Sequence, residues 1–183
     1  MKPAIRTSTP ADQPAIEALI ARSIRTLGAG DYPSATIELA LKSAFGVDTQ
    51  LIRDGTYFVV EDEGTLLACG GWSYRKTLFG NDARDGRDAA ELDPAVDAAK
   101  IRAFFVDPSA ARRGIGTLLL AHCEAAAMKR GFRRAELMAT LPGVRLYEVR
   151  GYRPGPDVLH PLSAETAIHF VPMSKELQPA GTE

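Results

Sequence analysis

Apolar residues recur at Ile16, Leu19, Ile20, Ile24 and Leu27, the three- and four-residue spacing of one face of an α-helix. Thr9-Pro10-Ala11-Asp12 supplies the start of that helix, with proline near the first turn, and Gly28-Ala29-Gly30-Asp31 breaks it. A second helix begins at Pro33-Ser34-Ala35 and presents Ile37, Leu41, Ala44 and Phe45. Ahead of both, Ile5-Arg6-Thr7 reads as a short strand. The pattern then changes from helical spacing to β-branched and aromatic runs. Thr56–Glu61 and Thr65–Ser73, separated by Asp62-Glu63-Gly64, predict an antiparallel hairpin. Gly70-Gly71 inside its second strand predicts a bulge, or a point where another backbone or a ligand comes close, and Trp72 reads as a core residue.

From Tyr74 to Ala98 periodicity is lost and Gly, Asp and Arg accumulate, so 74–98 is expected to be a long loop, either a lid or a solvated connection. Order returns at Ala99–Val106, an apolar strand stopped by Asp107-Pro108. Next come Arg112-Arg113-Gly114-Ile115-Gly116-Thr117 and a long alanine-rich helix read as starting at the second glycine. Such a turn points free backbone N–H groups at one place. With the positive end of the helix dipole and two arginines, it suits a phosphate or pyrophosphate; the plainer alternative is a tight strand-to-helix connection. A strand at Ala135–Ala139 follows, then a short amphipathic helix around Leu146–Arg150 closed by Gly151. Ala164–Met173 reads as the last strand, and 178–183 as a frayed tail.

The chain has 183 residues, 45% hydrophobic and 25% charged, which fits one soluble domain over 1–183 with a sizeable core. A formal net charge of −1 provides no basic field for nucleic acid. No apolar run approaches the roughly 20 residues that span a bilayer, and Met1–Arg6 lacks an apolar signal core, so neither a nucleic-acid nor a membrane partner is expected and the cytoplasm is the expected compartment. Cys69 and Cys123 sit in apolar runs and read as reduced packing residues. His122, His160 and His169 show no metal-ligand spacing, so no metal is expected. A Gly-x-Ser-x-Gly elbow is missing, and Gly114-Ile115-Gly116 lacks the third glycine of a dinucleotide fingerprint. Lys129, Arg130, Arg133 and Arg134 complement the far end of the helix dipole, whereas Arg112 and Arg113 stand at its positive end, a conflict that a bound anion would resolve.

Ala111-Arg112-Arg113-Gly114-Ile115-Gly116, followed by Tyr147-Glu148-Val149-Arg150-Gly151-Tyr152, resembles the GNAT superfamily of acyl-CoA-dependent N-acyltransferases. That family's signature is a strand, an Arg/Gln-x-x-Gly-x-Gly/Ala turn, a helix, a strand, and a helix carrying Tyr-Glu-x-x-Gly-Phe/Tyr. The chain departs from it at Ala111, where the family has Arg or Gln, and at Pro142, read in place of a family asparagine. The specific resemblance covers Ala99 to Arg153. It implies an α/β fold with a mixed, mostly antiparallel, splayed sheet flanked by helices. It implies acetyl-CoA as acyl donor, held by Phe104, Phe105, Val106, Arg112, Arg113, Gly114, Ile115, Gly116 and Thr117, with a backbone N–H of the splayed strand on the thioester carbonyl.

By the same resemblance Tyr147 is the acid that protonates the leaving thiolate, the first two helices wall the acceptor site, and the 74–98 loop lies near its entrance. The implied reaction is direct transfer of an acetyl group to a primary amine of a small molecule, peptide or protein in a ternary complex. Glu61, Glu91 and Asp93 are the acidic residues read as nearest the acceptor. A homodimer is compatible with the family. The alternative is a non-catalytic CoA-binding sensor or interaction module of the same fold.

Overall fold

Glu63 and Gly64 both adopt positive φ, 50° and 78°. This two-residue turn matches the right-handed twist of the strands that it joins. It closes the hairpin of β2 (Tyr57–Asp62) and β3 (Thr65–Ser73), which pair antiparallel as read from the sequence. In the computed structural model, which describes residues 2–77 and 90–178, the hairpin belongs to an eight-stranded sheet. The other strands are β1 (Ala4–Thr7), β4 (Ala99–Val106), β5 (Arg134–Thr140), β6 (Arg153–Pro154), β7 (Val158–Pro161) and β8 (Ala167–Glu176). Their order is β1-β2-β3-β4-β5-β8-β6, with β7 also on β8, and β4–β5 is the parallel pair in an otherwise antiparallel sheet.

Alternation along the strands sorts side chains into two cores. Phe58 and Val60 join Leu119, Leu120, Cys123 and Ala127 of α4 (Ile115–Lys129) on one face. Tyr57 and Val59 join Ile16, Leu19, Ile20 and Ile24 of α1 (Gln13–Leu27) and Ile37 of α2 (Ser34–Ser43) on the other. Trp72 is buried in the α4-side core, edge-on to Phe132. Cys69 and Cys123 are free and buried. Tyr147 of α5 (Val144–Val149) also enters the α4-side core.

Several boundaries differ from those read in the sequence. Pro10–Asp12 forms a 3-10 turn before α1. The long helix starts at Ile115 rather than Gly116, because Gly114 takes the left-handed N-cap conformation, φ 81°. The last strand is Ala167–Glu176, not Ala164–Met173. The short helix α3 (Thr49–Arg53) and strands β6 and β7 were not anticipated. Of the 74–98 stretch, the flanks pair: Lys76 N–H donates to the Ala90 carbonyl (3.0 Å) and Leu92 N–H to that of Tyr74 (2.8 Å). The lid reading falls on 78–89, and most of the tail on 179–183, outside the described residues. No helix among the described residues is long and apolar enough to cross a membrane.

Asp48 caps α3, accepting from the Leu51 N–H, and its carboxylate pairs with the Arg102 guanidinium. Both side chains are fully enclosed, at 0% and 1% exposure. Removing one charge of such a pair leaves the other buried alone. Arg102→Met is therefore expected to destabilise the protein by about 3–5 kcal/mol in urea unfolding, and adding Asp48→Asn, which keeps a capping oxygen, to recover about half of that loss.

Candidate active site

Gly70 is where β4 leaves the ordinary ladder. Val106 and Phe105 face Ala68 and Cys69, but the next pair is Arg102 with Gly71, so the single residue Gly70 stands against both Ala103 and Phe104. This is a β-bulge, and Ala103 within it adopts φ 49°, a left-handed conformation uncommon outside glycine. A Cβ on Gly70 would lie 2.4 Å from the Phe104 ring, and one on Gly71 2.4 Å from the Thr56 carbonyl, so both glycines answer to close approach.

Ahead of the bulge, β4 and β5 part company. They pair only at Ala99/Ala135 and Lys100/Glu136, the closed end being held by the Lys100 ammonium on the Glu136 carboxylate. From there β5 follows β8 as far as Thr140. A cavity of about 60 Å³ fills the fork, between Arg102 and Phe105 on one side and Leu137, Met138 and Tyr147 on the other. In front lies a cleft of about 680 Å³, bounded by β4, the loop into α4, α5 and the C-terminal end of α1.

Two left-handed residues, Arg112 (φ 63°) and Gly114 (φ 81°), turn the chain into α4. No side chain caps that end, so the first-turn amides lack intrahelical partners and carry the positive end of the helix dipole. Gly116 brings this turn close to the opposite wall: a Cβ there would lie 3.1 Å from Leu146 and 3.5 Å from Val106. The entry is anchored by Asp107. It accepts from the Ser109 N–H (3.0 Å) and hydroxyl (2.7 Å) on one oxygen and from Arg22 of α1 (2.9 and 3.1 Å) on the other.

Of the residues singled out in the sequence, Phe104, Phe105, Val106, Arg112, Gly114, Gly116, Thr117 and Tyr147 line this cleft, together with Ala111 and Pro142. Arg113 is exposed outside the lining, and Ile115 is buried in the α4-side core. Sequence reasoning passed over Arg145, which together with Leu146 and Val149 gives α5 a cationic and apolar cleft wall. Its one-turn spacing from Val149 was the available signal. Asp31 was also missed. It reaches the cleft because neighbouring Tyr32 accepts from the Leu141 N–H and donates to the His169 carbonyl, both at 2.8 Å.

Tyr147 is buried, its ring edge-on to Phe104 (centroids 6.2 Å) and Tyr152 (5.7 Å), and it borders both cavity and cleft. Burial, with a smaller contribution from nearby Cys123, raises its pKa well above the usual tyrosine value, so the phenol keeps its proton at neutral pH. The acids expected near the acceptor lie elsewhere. Glu61 pairs with Arg6 on the β1–β2 edge, Glu91 lies 3.9 Å from Arg130, and Asp93 caps a turn through Ala95 N–H. Among the described residues Asp31 is the carboxylate that lines the cleft. His122 stacks edge-on against Phe58, His160 lies against Phe170, and His169 meets Asp157 at 2.8 Å. The described residues bring together no trio of His, Cys, Asp or Glu able to hold a metal.

Residues 23–152 match the model of the acetyltransferase (GNAT) family. No curated protein matches by sequence. Among solved structures, a GCN5-related N-acetyltransferase from Rhodopseudomonas palustris is similar with a TM-score of 0.71 at 19% identity, covering 97% of each chain. The PaiA N-acetyltransferase of Thermoplasma acidophilum, solved in complex with coenzyme A, gives 0.64 at 14% identity over 96% of this chain and 99% of that one. The ribosomal-protein-S18-alanine N-acetyltransferase of Escherichia coli gives 0.58 at 18% identity over 98% and 97%. At these identities the likeness establishes a shared fold.

Proposed function

The chain belongs to the acetyltransferase (GNAT) family and is an acyltransferase, and on that premise we propose that it transfers an acetyl group from acetyl-CoA to a primary amine by direct attack within a ternary complex. The observation that carries this reading is the fork. A strand freed from its parallel neighbour, a helix N-terminus and a buried, protonated tyrosine all border one continuous cleft.

When bound, acetyl-CoA supplies the activated acyl thioester and, on its pyrophosphate, a negative charge. Arg112 and the first-turn amides of α4 would hold that charge, with Arg145 as a second cation on the facing wall. Val106, Leu146 and Val149 offer apolar surface to an extended arm. Around Phe104–Val106, β4 amides not paired with β5 would donate to the acyl oxygen as charge develops there. The amine must lose its extra proton before it attacks, since an alkylammonium has no lone pair. As nitrogen bonds to the acyl carbon and the carbon–sulfur bond breaks, Tyr147 would give its proton to the departing sulfur, and the proton shed by nitrogen would pass, through water, back to the Tyr147 oxygen. Asp31 puts a negative charge on the cleft wall, which favours a cationic amine over an anionic acceptor.

Thermal unfolding tests the cofactor first. Acetyl-CoA at about 100 times its Kd is expected to raise Tm by about 5–10 °C, and NADH and ATP to leave it in place. No shift with acetyl-CoA overturns the reading. Gly116→Glu adds bulk and charge at the α4 end, and the expected result is a folded protein that has lost the acetyl-CoA shift. In a thiol-release assay over a panel of amines, Tyr147→Phe is expected to lower turnover about 10²-fold with little change in acetyl-CoA affinity. Because burial raises its pKa, the fall in kcat on losing this proton is expected above about pH 10, and to be missing in the Phe variant. Acetyl-CoA binding with no thiol release from any amine would favour the non-catalytic module.

A further inference from the structure

Ala103 pays for the fork. A residue with a Cβ held at φ 49° persists only where its surroundings over-determine it. Three contacts do so. The Phe104 ring fills the space over Gly70, which has no Cβ to oppose it. Arg102, one residue before Ala103, is tied to Asp48 in the enclosed ion pair. On Ala103 itself, the carbonyl accepts from the Tyr57 hydroxyl at 3.1 Å.

Tyr57 is 0% exposed and lines neither the cavity nor the cleft. Its ring is wedged against Gly71, where a Cβ would lie 3.1 Å away, and its hydroxyl also contacts the Cys69 thiol. Burial keeps the phenol protonated and therefore a donor. A tyrosine on β2 thus reaches across β3 and holds one carbonyl of β4.

Resting on the acetyl-transfer reading, we propose that Tyr57 is a positioning residue for that reaction. Its hydroxyl fixes the left-handed turn at Ala103, and the Asp48–Arg102 pair backs it from the preceding residue. The bulge in turn sets the direction in which the next β4 amides point into the fork. Tyr57 touches neither substrate, so its whole effect on chemistry passes through the Ala103 backbone.

The test is the carbonyl stretching band of carbon-13-labelled acetyl-CoA bound to the protein, read by isotope-edited infrared spectroscopy beside acetyl-CoA affinity. The wild-type protein is expected to shift the band below its free frequency. Tyr57→Phe is expected to move it back toward the free value while Kd stays within about twofold and turnover on a responsive amine falls about 10-fold. Glycine adopts this φ without strain, so Tyr57→Phe combined with Ala103→Gly is expected to restore the band. An unchanged band in folded Tyr57→Phe that still binds acetyl-CoA overturns the positioning role alone. A double variant whose band stays at the free frequency also overturns it, including when Tyr57→Phe by itself does not fold. No binding by the wild type overturns the acetyl-transfer reading and this proposal together.

Discussion

A strand inside a sheet satisfies its amides and carbonyls only while its pleat keeps step with both neighbours. β4 keeps step with β5 for two residue pairs and then exchanges that ladder for a bulge against β3. The backbone groups thereby released do not turn to solvent along an outer edge. They face a gap inside the sheet, walled by β5 and by Tyr147 of α5, and a donor in low-dielectric surroundings is worth more than one at the surface. The rest of the molecule is arranged around that gap. β3 contributes Gly70 and Gly71 so that Phe104 and the β2 backbone can come close, and β2 contributes Tyr57 to hold the turned carbonyl.

The walls of the cleft come from distant parts of the chain and are joined by a few polar links. Asp107 ties the strand-to-helix loop to Arg22 on α1, linking the helix wall to the N-terminal end of α4. Tyr32 connects the α1–α2 loop to Leu141 and His169, bringing Asp31 to the same cleft. The Tyr32 bonds are both 2.8 Å and partly buried, so removing that hydroxyl leaves the Leu141 N–H without a protein partner away from bulk water. The electrostatic pattern follows: helix N-terminus and Arg112 toward one end, Arg145 opposite, one carboxylate among the described residues on the α1 side, and a neutral phenol at the fork.

Elements with strong periodicity were legible without coordinates. The apolar stripes of α1 and α2, the β2–β3 hairpin, the glycine turn before α4 and the glycine-closed α5 depend on neighbours within a few residues, and propensity acts at that range. Shorter elements escaped notice. α3 has five residues, β7 four and β6 two, and both strands carry proline, so none develops a repeat to count. The start of α4 slipped by one residue because either glycine of Gly-Ile-Gly could have been the cap, and only the left-handed φ of Gly114 distinguishes them.

What the sequence by itself determined is the run of local structures and two motifs that border the cleft: amides and an arginine beside a glycine turn, and a tyrosine on a short helix. Tertiary structure alone decided which arginine faces the cleft, since Arg112 and Arg113 are adjacent and differ only in the direction their backbone gives them. It also decided that Glu61, Glu91 and Asp93 stand apart from the site while Asp31 lines it, and that Tyr57, Asp48 and Arg102 converge on Ala103. These are contacts between residues as far as 54 positions apart, made by strand register and sheet order. No local pattern encodes such a meeting, because its energy arises only once both partners are buried in the same core.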